Sequence, residues 1–500
     1  MSGIRTVHLR VTDEGTGKPT PVRMRISGPA GECYPPLGRF AEFPLGRGEA
    51  VGGQVLLGGE RHYYIDGSCE VPLPTGVALH VAICKGLEYR PIRETVVLGS
   101  GQMALRFRLE RWTDQRAEGW YAADSRAHFL TPDAALLEAQ AEDIAVVNLL
   151  ATVRDLPSQD GKVYHVTEGL EAFSGTEPAI SDAGHVVAVN TFNTHPVLGC
   201  LALLDCHRPV FPLTFGGQHG TDDWALCDWC DQCHRKDGIV VWADVYRPDA
   251  GLPGGEGLIA LLLKKVDALE FDARKRSQPL LPAWYRFLNA GLPVHAVAGS
   301  AKESNRIVLG GMRTYALLEH GEPLTYRGWI EAVRLGRTFV TNGPLLRFRV
   351  NGEPPGAKID REVATGSFQI DAAAESWEKF DKLQLVANGE VIAESGASGS
   401  PCAAHIEADH HLPAGGWLAA RCWSSQKGEL YPPFPLFAHS SPVFVPAPPG
   451  QSSRDLAAVG ALREQVLATR DWIERVGRFE KPRSREHLLA LADQALAVLA

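Results

Sequence analysis

The segment Pro132-Asp133-Ala134-Ala135-Leu136-Leu137-Glu138-Ala139-Gln140-Ala141-Glu142 is followed at once by Ile144-Ala145-Val146-Val147-Asn148-Leu149-Leu150. The first piece has the composition and length of a helix, and the second is an apolar run of strand length. Working outward, the same alternation continues. Strands are expected at 185–192, 239–242, 268–271 and 294–298. Helices are expected at 222–236, 257–265, 282–289 and 327–335. Strands alternating with helices imply a parallel sheet, either an open sheet or a barrel. In both, ligands bind beyond the carboxyl ends of the strands.

The flanks read differently. Within the first 111 residues, Val7-His8-Leu9-Arg10-Val11, Val22-Arg23-Met24-Arg25-Ile26 and Ala104-Leu105-Arg106-Phe107-Arg108-Leu109 alternate apolar and polar positions between Gly and Pro turns. That is the pattern of an antiparallel β-sandwich. Alternation returns after Gly343-Pro344, so residues 345–446 are expected to form a second β-sandwich. Pro446-Ala447-Pro448-Pro449-Gly450 is a linker. Residues 451–500 carry apolar positions at Leu462, Val466, Ile473, Leu488 and Leu491 with the spacing of an amphipathic helical hairpin. This tail is expected to cover the central domain, 112–344, or to form a homo-oligomer contact.

Composition narrows the functional classes. A chain of 500 residues with 45% hydrophobic and 22% charged residues is globular and needs several domains. A net charge of −9 argues against nucleic acid and anionic membranes as partners. The opening Met1-Ser2-Gly3-Ile4-Arg5 has no apolar segment behind it and no run approaches membrane-spanning length, so a cytoplasmic location is expected. Ten cysteines are too sparse for a disulfide scaffold. Cys227, Cys230 and Cys233 fall within an expected helix, where they cannot wrap one ion, and are read as buried packing residues. Phosphate-loop, dinucleotide-binding and serine-elbow motifs are absent.

The chemistry-bearing stretch is Asp124-Ser125-Arg126-Ala127-His128, directly after Gly119-Trp120-Tyr121-Ala122-Ala123. With Gly169-Leu170-Glu171, Gly184-His185, Gly238-Ile239-Val240-Val241-Trp242, Gly299-Ser300 and Gly336-Arg337-Thr338-Phe339-Val340-Thr341-Asn342-Gly343-Pro344, it forms an ordered set. That set resembles the PHP superfamily of metal-dependent hydrolases, in the branch of carbaryl hydrolase and the McbA-like proteins. The resemblance implies a distorted (β/α)7 barrel whose divalent metals, up to three, activate water against an ester, amide or phosphoester; by ligand type, zinc, manganese or iron would fit the residues that remain. Carried over by position, His128, Glu171 and His185 are the implied metal ligands. In a hydrolase of this kind, Asp244 or Glu303 would serve as the catalytic proton acceptor. The family's opening His-x-His reads Arg126-x-His128 here, and Ala301-Lys302-Glu303 stands where its terminal Asp-x-His belongs.

Both substitutions introduce cations, and a guanidinium cannot ligate. One reading is that Arg126 and Lys302 replace the metal charge and make a pocket for an anionic ligand. The other is that Arg126 forms a structural bridge with Asp124 or Glu171. The polar strand exit with Asn193 and His195 suits a polyhydroxylated ligand or closes the fold as a hydrogen-bonded loop. The expected function is therefore a metal-dependent hydrolase acting on a small molecule. The alternative is a silent relative that binds an anionic or polyhydroxylated ligand.

Overall fold

A computed structural model describes residues 3–38, 52–157, 163–245, 252, 254–272, 277–319, 321–359, 367–431 and 434–500. Strands dominate, at 41% against 20% helix. In the first 109 residues, a three-stranded sheet (Ser68–Pro74, Ile4–Asp13, Ala104–Leu109) and a five-stranded sheet share one core. Alternation builds it directly: Val7, Leu9 and Val11 are buried while His8 and Arg10 face outward.

The centre departs from the expected class. Strands Trp120–Ala127, Val146–Pro157 and Val186–His195 are parallel neighbours, and so are Ile239–Ala243, Ala268–Asp272 and His295–Gly299. Between the two sets lies Gly199–Leu204, antiparallel to both sides. Only Pro196, Val197 and Leu198 separate it from the preceding strand, too few for the dozen or more residues of a parallel crossover. A second unforeseen strand, Val163–Glu168, folds back on Val146–Pro157 as a hairpin.

A third, Arg313–Leu317, lies antiparallel to Trp120–Ala127 and leads through Thr338–Thr341 into Pro435–Ser440. The sheet thus runs unbroken from the centre into the C-terminal strands. The chain is a mixed, β-rich fold, not the expected (β/α)7 barrel between independent sandwiches.

The central strands curl so that Ala127 and Lys302 form a parallel bridge. Small residues inside the curl (Ala188, Ala202, Val241, Ala243, Ala268) leave room for helix Tyr326–Arg334, which fills one end with Trp329, Ile330 and Val333. Helix Pro132–Ala141 begins with Thr131 accepting a hydrogen bond from the Ala134 amide and with Pro at its first position. It packs between the sheet and the N-terminal strands.

Helix Leu226–His234 buries Cys227, Cys230 and Cys233. Burial pushes all three thiols well above the ordinary range, so they act as small apolar side chains. Tail helices Leu456–Arg475 and Pro482–Val498 lie against helices Gly255–Leu262 and Ser277–Asn289. Leu462, Val466, Ile473 and Leu488 are buried there, so the apolar face is covered by its own chain. No helix among the described residues is long and apolar enough to cross a membrane.

Candidate functional site

The parallel strands have an entry end and an exit end, and the exit end holds two adjoining cavities of about 480 and 510 Å³. Each lies within the usual range for small-molecule pockets. His128, Thr152, Arg154 and Glu303 line both, so the two are lobes of one cleft. The first lobe is walled by Leu130, Leu150, Ala172 and Val189. The second is polar, with Arg126, Asp155, Thr194, His219 and Asp244 on its wall.

Arg126 forms the floor of the polar lobe and is 1% exposed. Its Nη2 lies 2.9 Å from Glu270 Oε2 and 3.3 Å from Asp244 Oδ1, and its guanidinium stands 4.8 Å over the Phe192 ring. The structural-bridge reading of Arg126 thus describes its geometry, with different partners from those expected. Asp124 is occupied elsewhere: its carboxylate accepts from the amides of Arg126, Ser300 and Gly310 and from the Ser300 hydroxyl. Burial nevertheless raises its pKa from the ordinary aspartate value. Asp124 fastens the first strand to the loop after the last one.

Lys302 is fully buried away from both cavities. Its Nζ donates to the Ile307 carbonyl at 2.7 Å and lies 3.3 Å from Glu138 Oε2. The two cations read as an anion pocket are therefore each matched by carboxylates. At Arg126, two carboxylates flank one guanidinium.

The three implied metal ligands do not converge. His128 follows the first strand at the exit end, donating from Nδ1 to the Leu150 carbonyl at 2.9 Å. His185 precedes Val186 at the entry end, level with Ala145 in the parallel register. Five strand residues, roughly 16 Å, separate these levels. His185 pairs instead with Asp182 at 2.9 Å, and burial lowers its pKa. Glu171 is exposed on the short turn Leu170–Ala172 and borders the apolar lobe. His128, Glu171 and His185 do not fit a shared divalent ion.

Asp244 is held in the Arg126 pair, and Glu303 is exposed at the junction of the lobes. Asn193 and His195 are completely buried and shape the loop beside the cleft. The Asn193 amide donates to the carbonyls of Val210 and Pro212. His195 Nδ1 accepts from the amides of Val197 and Leu198, so Nε2 carries the proton donated to Asp222 at 2.9 Å. Burial raises the Asp222 pKa, but hydrogen bonds from His195 and the Arg478 amide outweigh it and leave the carboxyl lowered.

Two features escaped the sequence reading. Glu270 was legible in part, as a lone acid in the apolar run Ala268-Leu269-Glu270-Phe271. Asp155 and His165 meet only because Val163–Glu168 folds back in a register that sets them opposite each other. No local pattern announces that hairpin. No family model, no curated protein and no solved structure matches the chain.

Proposed function

We propose that the exit-end cleft binds a small organic molecule with an apolar body and a polar, hydrogen-bonding head. The body would occupy the lobe between Leu130, Leu150 and Val189. The head would face Arg126, Thr194 and Asp244, a donor and acceptor set suited to hydroxyl or carbonyl groups. The observation that carries this reading is the junction of an apolar and a polar lobe at His128 and Thr152. A polyhydroxylated or carbonyl head would match the mixture of donors and acceptors on this wall.

Hydrolysis of such a molecule draws no support from His128, Glu171 and His185, which lie apart. The test is a thermal-shift screen of the full chain against glycosides, aryl esters and aryl amides, repeated with Thr152→Trp to block the junction. At least one compound should stabilise the parent protein and bind the variant more than tenfold more weakly. A silent screen, or binding indifferent to Thr152→Trp, would overturn the reading.

A further inference from the structure

A cluster of potential ligands that is not part of the expected set stands at the rim of the polar lobe. Asp155 lies on strand Val146–Pro157, directly across the hairpin from His165. His219 closes the short turn Gly217–His219. One carboxylate oxygen, Asp155 Oδ1, faces both rings, 2.7 Å from His165 Nδ1 and 3.4 Å from His219 Nε2. The ligand atoms of all three lie within 4.8 Å of one another. Bonds of 2.0–2.1 Å in a tetrahedral zinc site place neighbouring ligand atoms about 3.3 Å apart. The cluster is thus at ligating spacing with only small side-chain adjustments.

The surroundings are organised to hold it. Gln218 donates to the other Asp155 oxygen, which orients the carboxylate and leaves Oδ1 toward the imidazoles. The turn bearing His219 is clamped by the tail: Arg478 donates to the carbonyls of Gly217 and Gly220, and the Asp222 amide donates to the Arg478 carbonyl at 2.7 Å. Asp155 and His219 also line the 510 Å³ lobe, so a fourth position would open into the cleft. Three protein ligands with one open position is the arrangement of catalytic rather than structural zinc.

We infer that Asp155, His165 and His219 form a mononuclear site for a divalent transition metal, zinc or a similar ion, opening on the cleft. Two imidazoles and one carboxylate favour such ions over magnesium or calcium. The inference goes beyond ligand binding in the cleft and does not depend on it. The molecule supplies an internal control in Asp371, His405 and Glu407. All three are exposed on the neighbouring strands Ser367–Ser376 and Cys402–His411, with His405 3.8 Å from each acid.

Titrating the metal-stripped full chain with zinc, and separately with cobalt to read ligand-field absorption, tests the site. One equivalent should bind, with Asp155→Asn, His165→Ala and His219→Ala each weakening it at least tenfold and Glu407→Gln leaving it unchanged. His165 is on an exposed hairpin, so His165→Ala keeps the test valid should His219→Ala disturb its turn. Absence of saturable binding, binding that survives the Asp155 and His165 substitutions, or loss with Glu407→Gln alone would overturn the assignment.

Discussion

The two ends of the central strands are both crowded with charge, yet their neighbours give them opposite roles. At the entry end, Glu142 accepts from Arg23 at 2.6 Å, Tyr64 at 2.9 Å and Tyr431 at 2.8 Å, while its carbonyl accepts from Arg313. These partners come from the N-terminal strands, the central sheet and the C-terminal region, and all are buried. Beside them, Asp143 pairs with Arg111 and Arg116. The entry end is a junction where three parts of the chain are bolted together. At the exit end, the Arg126, Asp244 and Glu270 group is similar in make-up, but among the described residues it borders a cleft. The contrast is that the entry-end network is covered by packed layers of the chain, whereas the exit-end network borders a cleft.

The largest test of that contrast is Glu142→Ala. Removing one member of a buried ion network leaves the remaining charge uncompensated and typically costs about 3–5 kcal/mol. The expected outcome is a large fall in the denaturant midpoint, with cleft ligand binding retained in the fraction that stays folded. A midpoint within error of the parent would remove Glu142 as the bolt.

The second prediction separates buried carboxylates with a cation from those without one. Glu256 is fully enclosed; it accepts from the Cys227 amide and has no ion-pair partner among the described residues. Burial pushes its pKa up to about 7. Because the folded state holds this proton more tightly than the unfolded state, its contribution is complete near pH 4. It is then lost as the pH rises toward 7, by up to about 3 kcal/mol. Asp143 has the opposite sign: burial raises its pKa, but Arg116 and Arg111 outweigh that and hold it well below the usual range. Its contribution is therefore lost on acidification. Glu256→Gln should flatten the decline in stability between pH 5 and pH 7.5 and leave the acid limb unchanged. An identical pH profile in both proteins would show that Glu256 is ionised in the fold.

The smallest effect is expected from His185→Ala. His185 is partly exposed at the entry end and is not among the described residues that line the cleft. The cost should be about 1 kcal/mol or less, with zinc and ligand binding unchanged. A loss of metal equivalents in this variant would break the two-ended description.

Much of the local structure could be read from the residues alone, because it depends on side-chain periodicity. The helix at Pro132–Ala141 and the strands Ile239–Ala243 and Ala268–Asp272 lie within a residue or two of expectation. The overall class could not be read this way. It turns on Val163–Glu168, Gly199–Leu204 and Arg313–Leu317, short segments whose direction is set by loop length and by a distant partner rather than by their own composition. The same limit applies to the site. Alternation and apolar runs were enough to direct attention to the strand exits, where His128 and Asp244 lie. Pairing Arg126 with Glu270, sending His185 to the far end and bringing Asp155, His165 and His219 together are long-range events. Each is decided by register and by the curl of the sheet, which bring together residues that share no local pattern.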